Sequence, residues 1–203
     1  MIHANSTDAN NPPTVLVIMG SARAGRLCPN LASWVAGIGQ VSSRLAFELI
    51  DLADWPLPMD DEPGIPALGN YIQEHTRAWS RKVAGADAFV FVTPQYNWGY
   101  PAVLKNAIDH LYQEWAGKPL MLVSYGGHGG DKCAAQLRQV AEGVKLRPVQ
   151  TMPAIVLTRE MIAGGPVDPD KDLHAHVEDI RRASASWLRN WTNDTANLWF
   201  FEG

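Results

Sequence analysis

Residues 14–20 (TVLVIMG), 88–93 (AFVFVT) and 119–125 (PLMLVSY) are apolar almost without interruption. A strand with one wet face alternates apolar and polar side chains, so a continuous run needs both faces covered. Such strands belong to parallel sheets with helices packed on either side. Residues 46–51 (AFELID) alternate and read as another strand; 150–157, interrupted by Pro153, read as a fifth. Between these runs the spacing turns helical. The stretch 31–38 starts near Pro29, and 71–84 carries Ile72, Trp79 and Val83 as a stripe. The stretch 102–112 has Pro101 at its first turn, where a missing N–H costs nothing, and 132–144 and 171–192 follow. Pro56, Pro58, Pro63 and Pro66 stiffen a loop without period. Strand and helix therefore alternate, which predicts right-handed βαβ units in an α/β three-layer sandwich. A five-stranded parallel sheet of flavodoxin-like order 2-1-3-4-5 suits this length better than a six-stranded dinucleotide fold.

Nothing divides the 203 residues into two parts, so the sequence predicts one domain over 14–195, with tails at 1–13 and 196–203. A formal charge of −4 and a pI near 5.8, without a basic stripe, argue against nucleic-acid binding. Cys28 and Cys133 have no metal spacing and form no disulfide framework. The polar start MIHANSTDANNPP lacks the apolar core of a signal peptide, and no apolar run approaches the roughly 20 residues that span a bilayer. The expectation is a cytoplasmic protein with no membrane partner.

The unusual residues fall just after strands one, three and four: GSARAGR (20–26), TPQYNWGY (93–100) and SYGGHGG (124–130). In the order 2-1-3-4-5 these strands are neighbours, and their carboxyl ends border the switch point where open α/β sheets bind ligands. The first loop offers backbone N–H groups, the Ser21 hydroxyl and the guanidinium groups of Arg23 and Arg26 to a phosphate. It lacks both the dinucleotide and the P-loop glycine patterns, and a glycine turn with two solvated arginines is the competing reading. The second loop presents the flat faces of Tyr96, Trp98 and Tyr100, with Gln95 and Asn97 for a ring edge; an aromatic loop packed on its own domain or on a partner subunit is the competing reading. The glycines of the third let backbone approach a ligand closely. One phosphate and one planar ring describe a mononucleotide, which in this fold is FMN.

These stretches resemble the NAD(P)H-dependent FMN reductase family in its quinone-reductase branch. The resemblance rests on GSARAGRLCP, TPQYNWGYPAVLKNAIDHLYQEWAGKP and SYGGHGGDKC, with WSRKVAGADAFVFV leading into the second, and covers residues 14–150. It implies that Ser21 and Arg23, helped by Arg26, meet the FMN phosphate. Pro94, Gln95, Tyr96 and Asn97 would line the isoalloxazine and ribityl chain, with Trp98 in the same wall. Ser124, Tyr125, Gly126 and Gly127 would approach the pyrimidine end of the ring. The implied reaction is ping-pong transfer from NADPH or NADH through FMN to a quinone or similar acceptor, in a homodimer or dimer of dimers. A flavin-loaded redox-sensing module and a supplier of reduced FMN to a monooxygenase are the alternatives. No side chain is singled out as catalytic; Tyr125 and His128 are candidates to protonate a reduced quinone.

Other groups attract less. His174 and His176 are two apart and point to different helix faces, and Asp60–Glu62 reads as a solvated loop. Ser124 and His128 lack a nucleophile elbow, which argues against a hydrolase. Trp187, Trp191 and Trp199 gather near the C-terminus, on the core or at a subunit contact.

Overall fold

The computed structural model describes residues 12–59 and 61–197, the stretch 188–197 by its backbone alone. Strands β1 (Thr14–Met19), β2 (Ala46–Asp51), β3 (Ala88–Pro94) and β4 (Pro119–Gly126) form a parallel sheet in the order β2-β1-β3-β4. The fifth position is filled by two pieces rather than one strand. Both β5 (Arg147–Pro148) and β6 (Ala154–Val156) pair with β4, the first near its start and the second at its end. Pro148 and Pro153 supply no N–H to a ladder, so the chain leaves the edge and returns. The doubly wound order 2-1-3-4-5 is otherwise the one expected.

Alternation along each strand splits the core in two. Val15, Val17, Val90, Val92, Met121 and Val123 face helices α1 (Cys28–Ser42) and α7 (Val177–Asn197), where Leu31, Val35, Ile180 and Trp187 meet them. Leu16, Ile18, Phe89, Phe91, Leu120 and Leu122 face the opposite layer. That layer contains α2 (Glu74–Ala84), α3 (Ala102–Asp109) and α4 (Asp131–Gly143). There the indoles of Trp79 and Trp115 donate to the carbonyls of Ala107 (2.8 Å) and Ile108 (3.1 Å), so their polar atoms are satisfied although both rings are fully buried.

Several helix boundaries differ from the sequence expectation. α2 begins at Glu74 because the Glu62 carboxylate accepts from the N–H groups of Ile72 (3.1 Å) and Gln73 (3.0 Å), which leaves Ile72 in the loop and exposed. The last segment resolves into the short helices α5 (Arg159–Ile162) and α6 (Pro169–Asp172), a 3₁₀ turn (His174–His176) and α7. Thr158 and Asp168 cap the two short helices with their side chains. On α3 the apolar residues Leu104 and Ile108, with Leu111 just beyond, are consumed by the protein's own core, at most 1% exposed. Trp187 is a core residue against Phe47, whereas Trp199 and the side chain of Trp191 lie outside the described residues.

Candidate active site

The loops after β1, β3 and β4 meet at the carboxyl edge of the sheet. The first leaves β1 through Gly20, where a Cβ would lie 2.9 Å from a Leu104 methyl and 3.0 Å from Thr93, so the chain passes close against the neighbouring strand. Ser21 follows, fully buried, its hydroxyl 3.0 Å from the Tyr96 hydroxyl. Arg23 is exposed and its guanidinium stands 4.0 Å above the Tyr96 ring. Among the described residues no carboxylate pairs with it, and none accepts from the N–H groups of Ala22, Ala24 or Gly25. Just beyond, α1 begins with neither a side-chain cap nor an acidic residue in its first turn. A free cation, free N–H groups and an uncapped helix end form a place for an anion.

Arg26 is placed differently from Arg23. Its guanidinium is paired with Asp51 at the end of β2, donates to the Arg23 carbonyl at 3.4 Å, and is mostly buried. Its charge is thus engaged in bracing the loop, and Asp51, a partner the sequence reading did not name, holds it there. The Nε of Arg26 is buried without a partner.

The β3 loop is a two-residue hairpin in which Tyr96 and Gly99 exchange backbone hydrogen bonds of 2.9 Å. Asn97 and Trp98 at its tip have φ of 49° and 69°, and both side chains are exposed. Pro94 is buried at the end of β3. Gln95 is a strut: its N–H donates to the Tyr125 carbonyl (2.8 Å), and its Oε1 accepts from the Cys133 N–H at the start of α4 (3.1 Å). Of the proposed ring wall, Asn97 and Trp98 are therefore the outward members.

In the third loop the glycines answer to the chain's own folding as well. Gly129 (φ 79°) closes a turn on the Gly126 carbonyl, and a Cβ on Gly130 would lie 2.5 Å from that of Ser124. Gly127 and His128 remain exposed. Ser124 is fully buried with an unpartnered hydroxyl. Tyr125 packs in the α1/α7 layer, where burial pushes its hydroxyl far above the ordinary tyrosine range, next to Cys28. It is held as a neutral, protonated core residue. Burial likewise raises the thiols of Cys28 to about 11 and Cys133 to about 12, so neither is a ready thiolate.

Asp61, His75 and His110 also come together, with one donor atom of each within 4.8 Å of the others. The Nε2 of His110 lies 2.8 Å from the Pro58 carbonyl, which can only accept, and Nδ1 lies 3.2 Å from the Thr76 hydroxyl, from which a neutral ring accepts. Both ring nitrogens are satisfied, and His75 pairs with Asp61 at 2.9 Å. With the Asn106 amide donating to Leu57 (2.8 Å), the group latches the proline-rich loop to α2 and α3. Asp61 and Glu62 are thus structural anchors rather than members of a solvated run.

Comparison with known proteins settles the family of the chain. A family model described as NADPH-dependent FMN reductase matches residues 13–158, which include all three loops. The chain belongs to the NADPH-dependent FMN reductase family. It is similar to an NAD(P)H-dependent FMN reductase of Schizosaccharomyces pombe, 57% identical over 173 residues that cover 84% of this chain and 86% of that protein. A second such reductase, from Saccharomyces cerevisiae, is 42% identical over 197 residues, covering 87% of this chain and 97% of the other. A quinone reductase of Escherichia coli K12 is 36% identical over 135 residues, 62% of this chain and 68% of that one. Among solved structures, the flavoenzyme NAD(P)H:(acceptor) oxidoreductase FerB of Paracoccus denitrificans superposes with a TM-score of 0.68 at 23% identity, covering 88% and 98% of the two chains. An archaeal flavodoxin (TM-score 0.56, 10% identity, 88% and 97% covered) shares the fold. As a member of this family the chain is an oxidoreductase that works with FMN and a reduced nicotinamide.

Proposed function

We propose that this reductase takes hydride from NADPH or NADH onto FMN held by the three loops and passes the electrons to quinones or similar small acceptors. The observation that carries the site is the meeting, at one sheet edge, of Arg23, which has no carboxylate partner among the described residues, an α1 N-terminus without a side-chain cap and an exposed Trp98. These groups fit a phosphate joined to a flat ring. Ser21, Arg23 and the N–H groups of Ala22, Ala24 and Gly25 hold the phosphate. Arg26, fixed by Asp51, keeps the loop in shape. Asn97 and Trp98 wall the ring, and the Ser124–Gly127 backbone borders its far end. Once bound, FMN supplies the hydride acceptor and the onward transfer of electrons. With its faces bordered in this way, donor and acceptor rings use the one open face in turn. That order is a ping-pong cycle.

The test is anaerobic reduction of the purified yellow protein by NADPH and NADH, then steady-state rates at several fixed quinone concentrations. Parallel double-reciprocal lines are expected, with quinone in excess competing against the nicotinamide. Intersecting lines would exclude the shared face. A redox-sensing module would bleach yet turn over no acceptor, and a supplier of reduced FMN would lose its flavin on gel filtration. We further propose a cytoplasmic homodimer. Its contact uses the loop side chains Met59, Ile65, Leu68 and Ile72, each more than half exposed, because the stripe on α3 is spent inside the monomer.

A further inference from the structure

We propose that Lys132, working with Trp98, is the donor-recognition residue of this site, its ammonium taking a phosphate of the dinucleotide while the indole receives one of the dinucleotide's flat rings. The proposal rests on the reading of the edge as an FMN and nicotinamide site, and names the residue pair that selects the donor there.

Trp98 stands where the backbone argues against it. A two-residue hairpin whose tip residues both have positive φ favours Asn followed by Gly, because the second position admits a Cβ only under strain. Here Asn97 is followed by tryptophan at φ 69°, with the glycine displaced to position 99. A bulky residue in that region is costly and persists where function requires it. Folding does not: the Trp98 side chain is 64% exposed and belongs to neither core cluster.

Lys132 is the second contributor. It lies in the first turn of α4, beside Gln95's contact with Cys133, and its Nζ rests 4.6 Å from the centre of the Trp98 ring. Among the described residues it has no carboxylate partner, unlike Lys82 with Glu48 and Lys105 with Asp109. A single phosphate explains Arg23 and leaves Lys132 without an anion. The structure places this further cation beside Trp98. Quinones carry no charge for it to meet, whereas the nicotinamide donors carry a pyrophosphate, and NADPH a further phosphate. An ammonium lying on an indole face is displaced when a flat ring stacks there, and remains within reach of that ring's phosphates. In a chain of net charge −4, such a local cation also offsets the long-range repulsion of an anionic donor.

The experiment compares wild type with Lys132→Met, Lys132→Arg and Trp98→Gly, using FMN-loaded protein and three donors: NADPH, NADH and the phosphate-free N-benzyl-dihydronicotinamide. Lys132→Met should raise KM for a phosphorylated donor roughly ten- to a hundred-fold, the factor for losing one charge-assisted hydrogen bond, at unchanged kcat. KM for the benzyl donor should not move, and Lys132→Arg should restore most of the loss. A rise confined to NADPH places its extra phosphate on Lys132; equal rises for NADPH and NADH place the pyrophosphate there. Calorimetric binding of NADP⁺ should weaken in parallel, and Lys82→Met should leave every value unchanged. Trp98→Gly should raise KM for the same donors without lowering the melting temperature. In Lys132→Met, a KM shift equal for the benzyl donor or no shift for either dinucleotide would overturn the proposal, as would marked destabilisation by Trp98→Gly. Failure of the wild type to be reduced by any of the three donors would instead defeat the flavin reading itself.

Discussion

Arg23 and Arg26 are three positions apart and chemically alike, yet the fold gives them different tasks. Arg26 reaches Asp51 and is mostly buried; Arg23 faces outward over Tyr96. Arg23→Ala should therefore weaken FMN by about 1.5–3 kcal/mol, the range for a hydrogen bond to a charged group, and leave riboflavin binding nearly unchanged. Fluorescence titration with both flavins measures it, and equal losses would move the phosphate elsewhere. Gly130 makes a purely steric case. Because a Cβ there would stand 2.5 Å from the Ser124 Cβ, Gly130→Ala should cost about 1–3 kcal/mol of stability in urea unfolding, as overpacking does.

Among the elements, the strands were the most legible, because AFVFVT and PLMLVSY admit little but burial on both faces. The meeting of the three loops followed from strand order, which the alternation of strand and helix already implied. What sequence concealed were contacts between distant segments. The start of α2 depends on Glu62, ten residues before Ile72. Arg26 depends on Asp51, and the apolar side of α3 is an interior surface. Lys132 stood within SYGGHGGDKC, but only the hairpin's direction brings Trp98 to it. The proline-rich loop illustrates the same point, since without period or strand it is ordered by the His110 latch. His110→Ala removes a buried ring and both its hydrogen bonds, and should cost about 2–4 kcal/mol. Thermolysin should then cut at Ile65 or Leu68 sooner than in the wild type; unchanged cleavage would show that the latch does not order the loop.

At the scale of the whole molecule, a half-buried cation links the helical layer to the sheet. Lys118, just before β4, donates to the carbonyls of Val83 (2.9 Å) and Ala84 (3.0 Å) at the end of α2. Burial lowers its pKa to about 8, against the pull of Asp87 and Glu114. The folded state therefore binds fewer protons than the unfolded chain between about pH 8 and the ordinary lysine value near 10.4. Lys118's contribution to stability should accordingly rise with pH across that window and fall away as pH drops through about 8. Lys118→Met should flatten this part of the stability profile measured by denaturant unfolding; an unaltered slope would refute the assignment. The divided edge strand has a consequence of another kind. An uninterrupted outer strand offers a row of bare N–H and C=O groups on which a second sheet can grow, a route to fibrils and precipitates. β5 and β6 expose only short ladders, separated by Pro148 and Pro153. On the far side β2 carries Glu48, paired with Lys82. Both flanks thus discourage templated β-growth, and copies of the protein can crowd together without being drawn into one another's hydrogen-bond ladders.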